Sequence, residues 1–284
     1  GAEGIAVGMS TKILPHNLHA AYCIKASEGG KHVVTEKPFC VTLQEADDMI
    51  AAARKAGTML SCFHNRRWDG DFHTMLKMIR GGRIGEVFRI DAAMGRYAEP
   101  GTWWRSNKEI SGGLMYDWGA HYMDWTLNFA NKRIKSVTGD FQKRKWHHVT
   151  NEDFTYALVR FEDDTTATLE QNSLNSIPKR NGWRVLGTEG GLANDGPGGE
   201  ITWVRLEQGQ RVEGRMPAPK SSWAAYYANV GNHLIMDERL VVTPEQARRA
   251  IGVIYLAEQS AKEGGKPLEL PGEADFEPDY MIPW

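Results

Sequence analysis

The chain has 284 residues, enough for one large domain or two ordinary ones. Hydrophobic residues make up 41% and charged residues 25%, a balance that buries a sizeable core and excludes a mostly disordered chain. Lys plus Arg (34) nearly matches Asp plus Glu (36), so no global field attracts nucleic acid or an anionic membrane. No apolar run approaches the roughly 20 residues of a membrane helix. Cys23, Cys40 and Cys62 form no C-x-x-C pair, which favours a reducing, cytoplasmic setting or simple burial over a disulfide frame or thiolate metal site. The chain starts at Gly1 rather than Met, and an upstream export signal stays open.

The first 66 residues alternate helix and strand. Residues 18–28 read as a helix stopped by Gly29-Gly30, and residues 32–36 as a strand ended by Pro38. Thr42 opens a clear helix with Glu45 at the capping-box position and Leu43, Ala46, Ile50 and Ala53 as its apolar face. Gly57 ends it, and residues 58–63 form the next strand. This spacing argues for parallel βαβ units.

The rhythm then changes. One helix, residues 72–79, ends at Gly81-Gly82. Strand patterns follow at 87–97, 134–143, 154–161, 165–171, 183–186, 201–206 and 211–216, with Asp163-Asp164 and Gln208-Gly209 as hairpin turns. Together they predict one large, mostly antiparallel open sheet, with residues 114–129 helical at one end. Residues 194–199 read as a glycine-rich loop. Residues 223–236 are helical. Thr243, Pro244 and Gln246 then cap a long closing helix that stops at Gly264-Gly265. The fold class is α/β: a partial Rossmann-type parallel sheet followed by an α+β domain.

Two places could carry chemistry. Glu36-Lys37-Pro38 directly follows a parallel-type strand, and such sheets bind ligands beyond their carboxyl ends. A lysine there could meet a cofactor or polarise a substrate oxygen; it could equally be a surface lysine before a turn. In the segment 112–124, Asp117, His121 and Asp124 share one face if it is continuously helical. A carboxylate beside an imidazole orients it and raises its basicity, which suits proton transfer from an alcohol. The alternatives are a satisfied core histidine or a divalent-metal site. Trp103, Trp104, Trp118 and Trp125 surround the segment and hint at sugar-ring packing, although most tryptophans are core residues. Arg105 could bind an anionic or hydroxylated group. His147-His148 reads as a solvated turn.

In chain order these motifs resemble the Gfo/Idh/MocA oxidoreductases, a family that includes glucose–fructose oxidoreductase and inositol dehydrogenases. Leu14-Pro15-His16-Asn17-Leu18-His19-Ala20 and Val33-Val34-Thr35-Glu36-Lys37-Pro38 look like the end of its nucleotide domain. Asn65-Arg66-Arg67-Trp68 resembles its domain junction, Trp104-Arg105 and 112–124 its substrate motif, and 242–247 its C-terminal helix. The resemblance implies that Lys37 lies near both nicotinamide and substrate, that His121 is the acid/base and that Asp117 lies beside it. It further implies Pro15, His16, Asn17, His19, Glu36 and Lys37 around NAD or NADP, and Trp104, Arg105, Tyr116, Asp117 and His121 around a sugar or polyol. No metal is implied.

The implied reaction is hydride transfer at a carbinol carbon, the cofactor carrying the redox step. The expected domains are 1–66 for the nucleotide and 67–284 for substrate and oligomerisation, and a broad open sheet whose second face needs cover argues for a homodimer or homotetramer. The family's G-x-G-x-x-G turn has no counterpart, because Gly1, Gly4 and Gly8 have the wrong spacing. An upstream segment carrying the first βαβ half is the expectation. Alternatives are transient nicotinamide oxidation in glycoside cleavage or epimerisation, or a non-catalytic protein lacking half the nucleotide site.

Overall fold

A computed structural model of the chain describes residues 17–177 and 181–278. Pro15, His16 and the glycines at 1, 4 and 8 lie outside them, as does the side chain of Asn17.

Four elements open the described chain: α1 (Asn17–Glu28), β1 (Val33–Thr35), α2 (Leu43–Ala56) and β2 (Leu60–Cys62). The capping box starts α2 as its sequence predicts. Thr42 Oγ1 accepts from the Glu45 amide at 3.2 Å, and the Glu45 carboxylate accepts from the Thr42 amide at 3.1 Å. Gly57 closes it in the left-handed region (φ 65°), where a residue without Cβ is unstrained. Ala46, Met49, Ile50 and Ala53 form the buried face. β1 and β2 pair in parallel, Val33 with Leu60 and Thr35 with Cys62. Their carboxyl ends therefore stop level with each other.

A 3₁₀ turn (Asn65–Trp68) leads into α3 (Gly70–Arg80), β3 (Val87–Gly95), a second 3₁₀ turn (Trp104–Ser106), α4 (Lys108–Ser111), a third 3₁₀ turn (Leu114–Tyr116) and α5 (Trp118–Ala130). Then come β4 (Ile134–Gln142), β5 (Phe154–Phe161), β6 (Thr166–Asn172), β7 (Gly182–Gly187), β8 (Gly190–Asn194), β9 (Ile201–Glu207) and β10 (Gln210–Met216). α6 (Ala224–Met236) and α7 (Pro244–Lys262) follow. The large sheet runs β10-β9-β8-β7-β3-β6-β5-β4. Its neighbours are antiparallel except β3 and β6, which are parallel.

Three expectations need correction. First, β8 was not foreseen. Its Gly-Gly-Leu-Ala-Asn sequence has no strand propensity of its own, and it is extended because β7 and β9 pair with it on both sides. Second, residues 114–129 are not one helix. The chain breaks at Asp117 (φ −78°, ψ −91°), so α5 begins only at Trp118. Third, α5 is not at one end of the sheet. It lies on one face against β3 and β6, beside α7, which covers β4 and β5. That arrangement buries nearly the whole of α5. Tyr122 stacks on Trp183 with ring centroids 4.4 Å apart, and Trp125 meets Trp183 edge-on at the same distance. Trp125 is therefore a core residue and not part of a sugar platform. Among the described residues, no helix is long and apolar enough to cross a membrane.

Candidate active site

The site begins with the β1–β2 register. Thr35 and Cys62 are paired, so Lys37 and His64 each stand two residues beyond the carboxyl end of their strand. They sit side by side where α/β sheets hold ligands. α5 approaches the same place with its first turn, bringing Asp117, Trp118 and His121.

Lys37 meets Asp117. Its Nζ lies 2.5 Å from Asp117 Oδ1 and donates to the Asp117 carbonyl at 3.0 Å. Arg105 Nε reaches the other carboxylate oxygen at 3.3 Å. The Arg105 guanidinium lies over the rings of Trp104 (4.2 Å) and Trp103 (4.9 Å). Asp117 thus draws two cations together, one from the nucleotide side and one from the loop before α4. The expected Asp117–His121 contact does not form. Asp117 precedes the helix, so the four-residue spacing does not place the two on one face, and its carboxylate turns to Lys37 and Arg105 instead.

His121 is buried, with 6% of its surface exposed, and its Nδ1 has no hydrogen-bond partner. It is packed among the rings of His64 (5.7 Å between centroids), Trp118 (5.9 Å) and Trp125 (6.5 Å). Burial, followed by the charges of Lys37, His64 and Arg66, pushes its pKa well below the ordinary histidine value. At neutral pH it is an uncharged imidazole, the form that accepts a proton. Asp124, on the same helix, is committed elsewhere. It receives both arms of Arg67, at 2.9 and 2.6 Å, and Arg67 also donates to the Val241 carbonyl and Gln246 Oε1. Burial opposes ionisation of Asp124, but Arg67 beside it holds its carboxyl below the usual range. The pair ties α5 to the Asn65–Trp68 turn and to α7. No cluster of His, Cys, Asp or Glu that could hold a metal occurs among the described residues.

The other expected site residues divide. Tyr116 is buried, and its hydroxyl donates to the Val41 carbonyl at 3.0 Å, a core role. Burial lowers the His19 pKa, partly offset by a hydrogen bond to the Pro38 backbone, so His19 braces the turn that carries Lys37. Glu36 is exposed beside Lys37; partial desolvation lifts its carboxyl while Lys37 pulls it down. Trp104 and Arg105 stand at the site as described.

Sequence reasoning passed over three contributors. His64, one residue past the strand read at 58–63, was not singled out, although Thr35 and Cys62 are paired and His64 and Lys37 each follow two residues later. Arg66 lies over Trp118 (4.6 Å) and Trp223 (5.0 Å), with NH1 on Asp69 at 2.9 Å. Trp223, near the start of α6, donates to Asp69; its distance in sequence hid it. A separate cavity of about 230 Å³ is lined by Thr74, Met78, Ile84, Trp203 and Met216 among others, and none of the site residues reaches it.

The described residues fit the nicotinamide end of a dinucleotide. A cation, a carboxylate and a buried neutral imidazole converge beyond the carboxyl ends of two parallel strands. Lys37 would stand between cofactor and substrate, and the turn 36–38 would border the ring.

The chain is similar to known oxidoreductases in sequence and fold. The family described as "Oxidoreductase family, NAD-binding Rossmann fold" matches residues 5–64, and "GFO/IDH/MocA C-terminal domain" matches residues 72–193. The chain is 28% identical over 272 residues to an uncharacterised oxidoreductase, YdgJ, of Escherichia coli, covering 87% of this chain and 77% of that one. It is 26% identical over 281 residues to scyllo-inositol 2-dehydrogenase (NADP(+)) IolW of Bacillus subtilis, covering 88% and 75%. The solved structure of the oxidoreductase yvaA of Bacillus subtilis matches with a TM-score of 0.81 at 24% identity, covering 90% of this chain and 79% of that one, a likeness of fold.

Proposed function

The chain belongs to the Gfo/Idh/MocA family of NAD(P)-binding oxidoreductases, and from that premise we propose that it oxidises or reduces a carbinol carbon of a sugar or polyol, with His121 as acid/base. The observation that carries this reading is the ion-paired Lys37–Asp117–Arg105 group near a buried, uncharged His121. When bound, the nicotinamide supplies the hydride acceptor or donor.

The chain's own residues handle the oxygen and its proton. His121 takes the hydroxyl proton as the carbonyl forms and returns it in the reverse direction. Lys37 faces the same oxygen and stabilises the negative charge that develops there. Asp117 and Arg105 fix Lys37 in place, and the Trp103–Trp104 faces offer apolar surfaces to sugar C–H groups. Residues 1–66 serve the nucleotide and residues 67–284 the substrate, and self-association belongs to the same reading.

The test mixes the purified protein with NAD⁺ or NADP⁺ and a panel of inositols, including scyllo-inositol, and aldoses, and follows the absorbance of reduced nicotinamide. Turnover that disappears in His121→Ala supports the reading. Cofactor binding without turnover of any polyol or sugar would sink it.

A further inference from the structure

His64 has no role in the reaction as described above, yet it is a buried titratable group packed directly against His121. It is 1% exposed, and neither ring nitrogen has a hydrogen-bond partner. Buried polar atoms in native structures are nearly always paired. Two such nitrogens on one ring, set edge-to-face against His121 whose Nδ1 is also unpaired, mark a place where a proton can be received.

We propose that His64 and His121 act as one imidazole pair, His64 receiving the proton that His121 takes from the substrate hydroxyl. The inference rests on the reading of His121 as acid/base. The rings are perpendicular within about 13° and 5.7 Å apart between centroids (interplanar angle 77°). The transfer requires a nitrogen of each ring to come within hydrogen-bond reach of the other, directly or through one water.

The charges around the pair form a gradient. Lys37, His64 when it is charged, and Arg66 bear on His121 and repel a proton resting there. Behind His64 stands the Asp124 carboxylate, which draws a proton toward it. Arg67 shares that carboxylate and limits the pull, and Lys37 also reaches His64. Burial dominates, holding His64 down to about 4, so the pair returns to neutrality after each turnover.

The step balances. The carbinol C–H bond breaks with its electron pair passing to NAD(P)⁺, which is reduced as the carbinol is oxidised to a carbonyl. The O–H proton goes to His121, then to His64, and is released to solvent before the next turnover, leaving both rings neutral. In the reducing direction a proton follows the reverse path. His64 acts through His121 and does not itself touch the substrate.

The test reads the proton directly. Full-length protein with ¹⁵N-labelled histidine is titrated from pH 8 downward, with and without NADP⁺, and the ring nitrogens are followed by NMR. Wild type should show the His64 and His121 resonances moving together as the pair takes up a single proton, the behaviour of coupled sites. In His64→Asn and His64→Phe the His121 midpoint should fall by about one pH unit or more, because the second acceptor is gone. A residue that merely filled space or repelled charge would leave the midpoint unchanged or raise it, and that result would overturn the proposal. Independent titration of the two rings in wild type, or no proton uptake before acid unfolding, would overturn it equally, whether or not either variant folds. The measurement needs no turnover. Absence of polyol oxidation would therefore count against the functional reading, and an uncoupled titration against the pair.

Discussion

At the scale of single residues, the environment of His121 sets the expected pH behaviour. Burial and the Lys37 and Arg66 charges keep the imidazole neutral well below its ordinary value. Oxidation needs the neutral base, so kcat/KM for oxidation should stay flat from pH 8 to below pH 6. Reduction needs the protonated acid, so its rate should keep rising as pH falls through the same range. A bell centred near pH 7 in the oxidising direction would contradict this. His121→Ala should lower turnover by roughly 10²–10⁴-fold with little change in NADP⁺ binding. Asp117→Asn should act differently. It leaves His121 in place but removes the carboxylate that holds Lys37 and Arg105, so both turnover and substrate KM should suffer, measured by steady-state kinetics. Lys37, Asp117, His121 and Arg105 were singled out in sequence by their motifs. The partner of Asp117 was not, because a backbone break at one residue turns its carboxylate away from the helix face.

At the scale of elements, two contacts hold the site together. Arg67 and Asp124 are both essentially inaccessible, and removing one leaves the other charged and uncompensated. Asp124→Ala should therefore cost about 3–5 kcal/mol by denaturant unfolding, well above the loss from Asp117→Ala, whose carboxylate is about one-third exposed and screened by solvent. The second contact is the crossing of β4 and α7. A Cβ on Gly139 would lie 1.9 Å from the Ala257 carbonyl oxygen, so Gly139→Ala must push the helix off the sheet. A loss of roughly 1–3 kcal/mol is expected, read as a lower unfolding midpoint. Thr42→Ala, removing the cap of α2, should cost only about 1 kcal/mol. The caps were legible from four residues of sequence. The Gly139 approach was not, since nothing near that glycine names the helix that crosses it.

At the scale of the whole molecule, the buried histidines link stability to pH. Unfolded histidine binds a proton below about pH 6.5, whereas folded His64 refuses one until about pH 4. Between those values the unfolded state holds more protons, so stability must fall as pH falls. At about 1.4 kcal/mol per pH unit, His64 alone accounts for a loss on the order of 3 kcal/mol across that window. His64→Phe should flatten the fall, measured as unfolding free energy at pH 7, 5.5 and 4.5. An equally steep decline in the variant would place the acid sensitivity elsewhere.

The architecture was legible because its signals are local or periodic. Capping residues, glycine stops, two-residue turns and alternating apolar positions act within a few residues, and the order of the motifs carried the family and its cofactor. Strand β8 escaped because its residues have no preference of their own and are extended only by their neighbours. The pairings that make the site belong to the tertiary structure. Lys37 and Asp117 are 80 residues apart in sequence, Arg67 and Asp124 are 57 apart, and His64 meets His121 only because the β1–β2 register and the seat of α5 on the sheet aim both rings at one point. Residue types and local geometry follow from short-range sterics and hydrogen bonding. Which charge neutralises which, and which ring faces which, is decided when distant elements pack and exclude water between them.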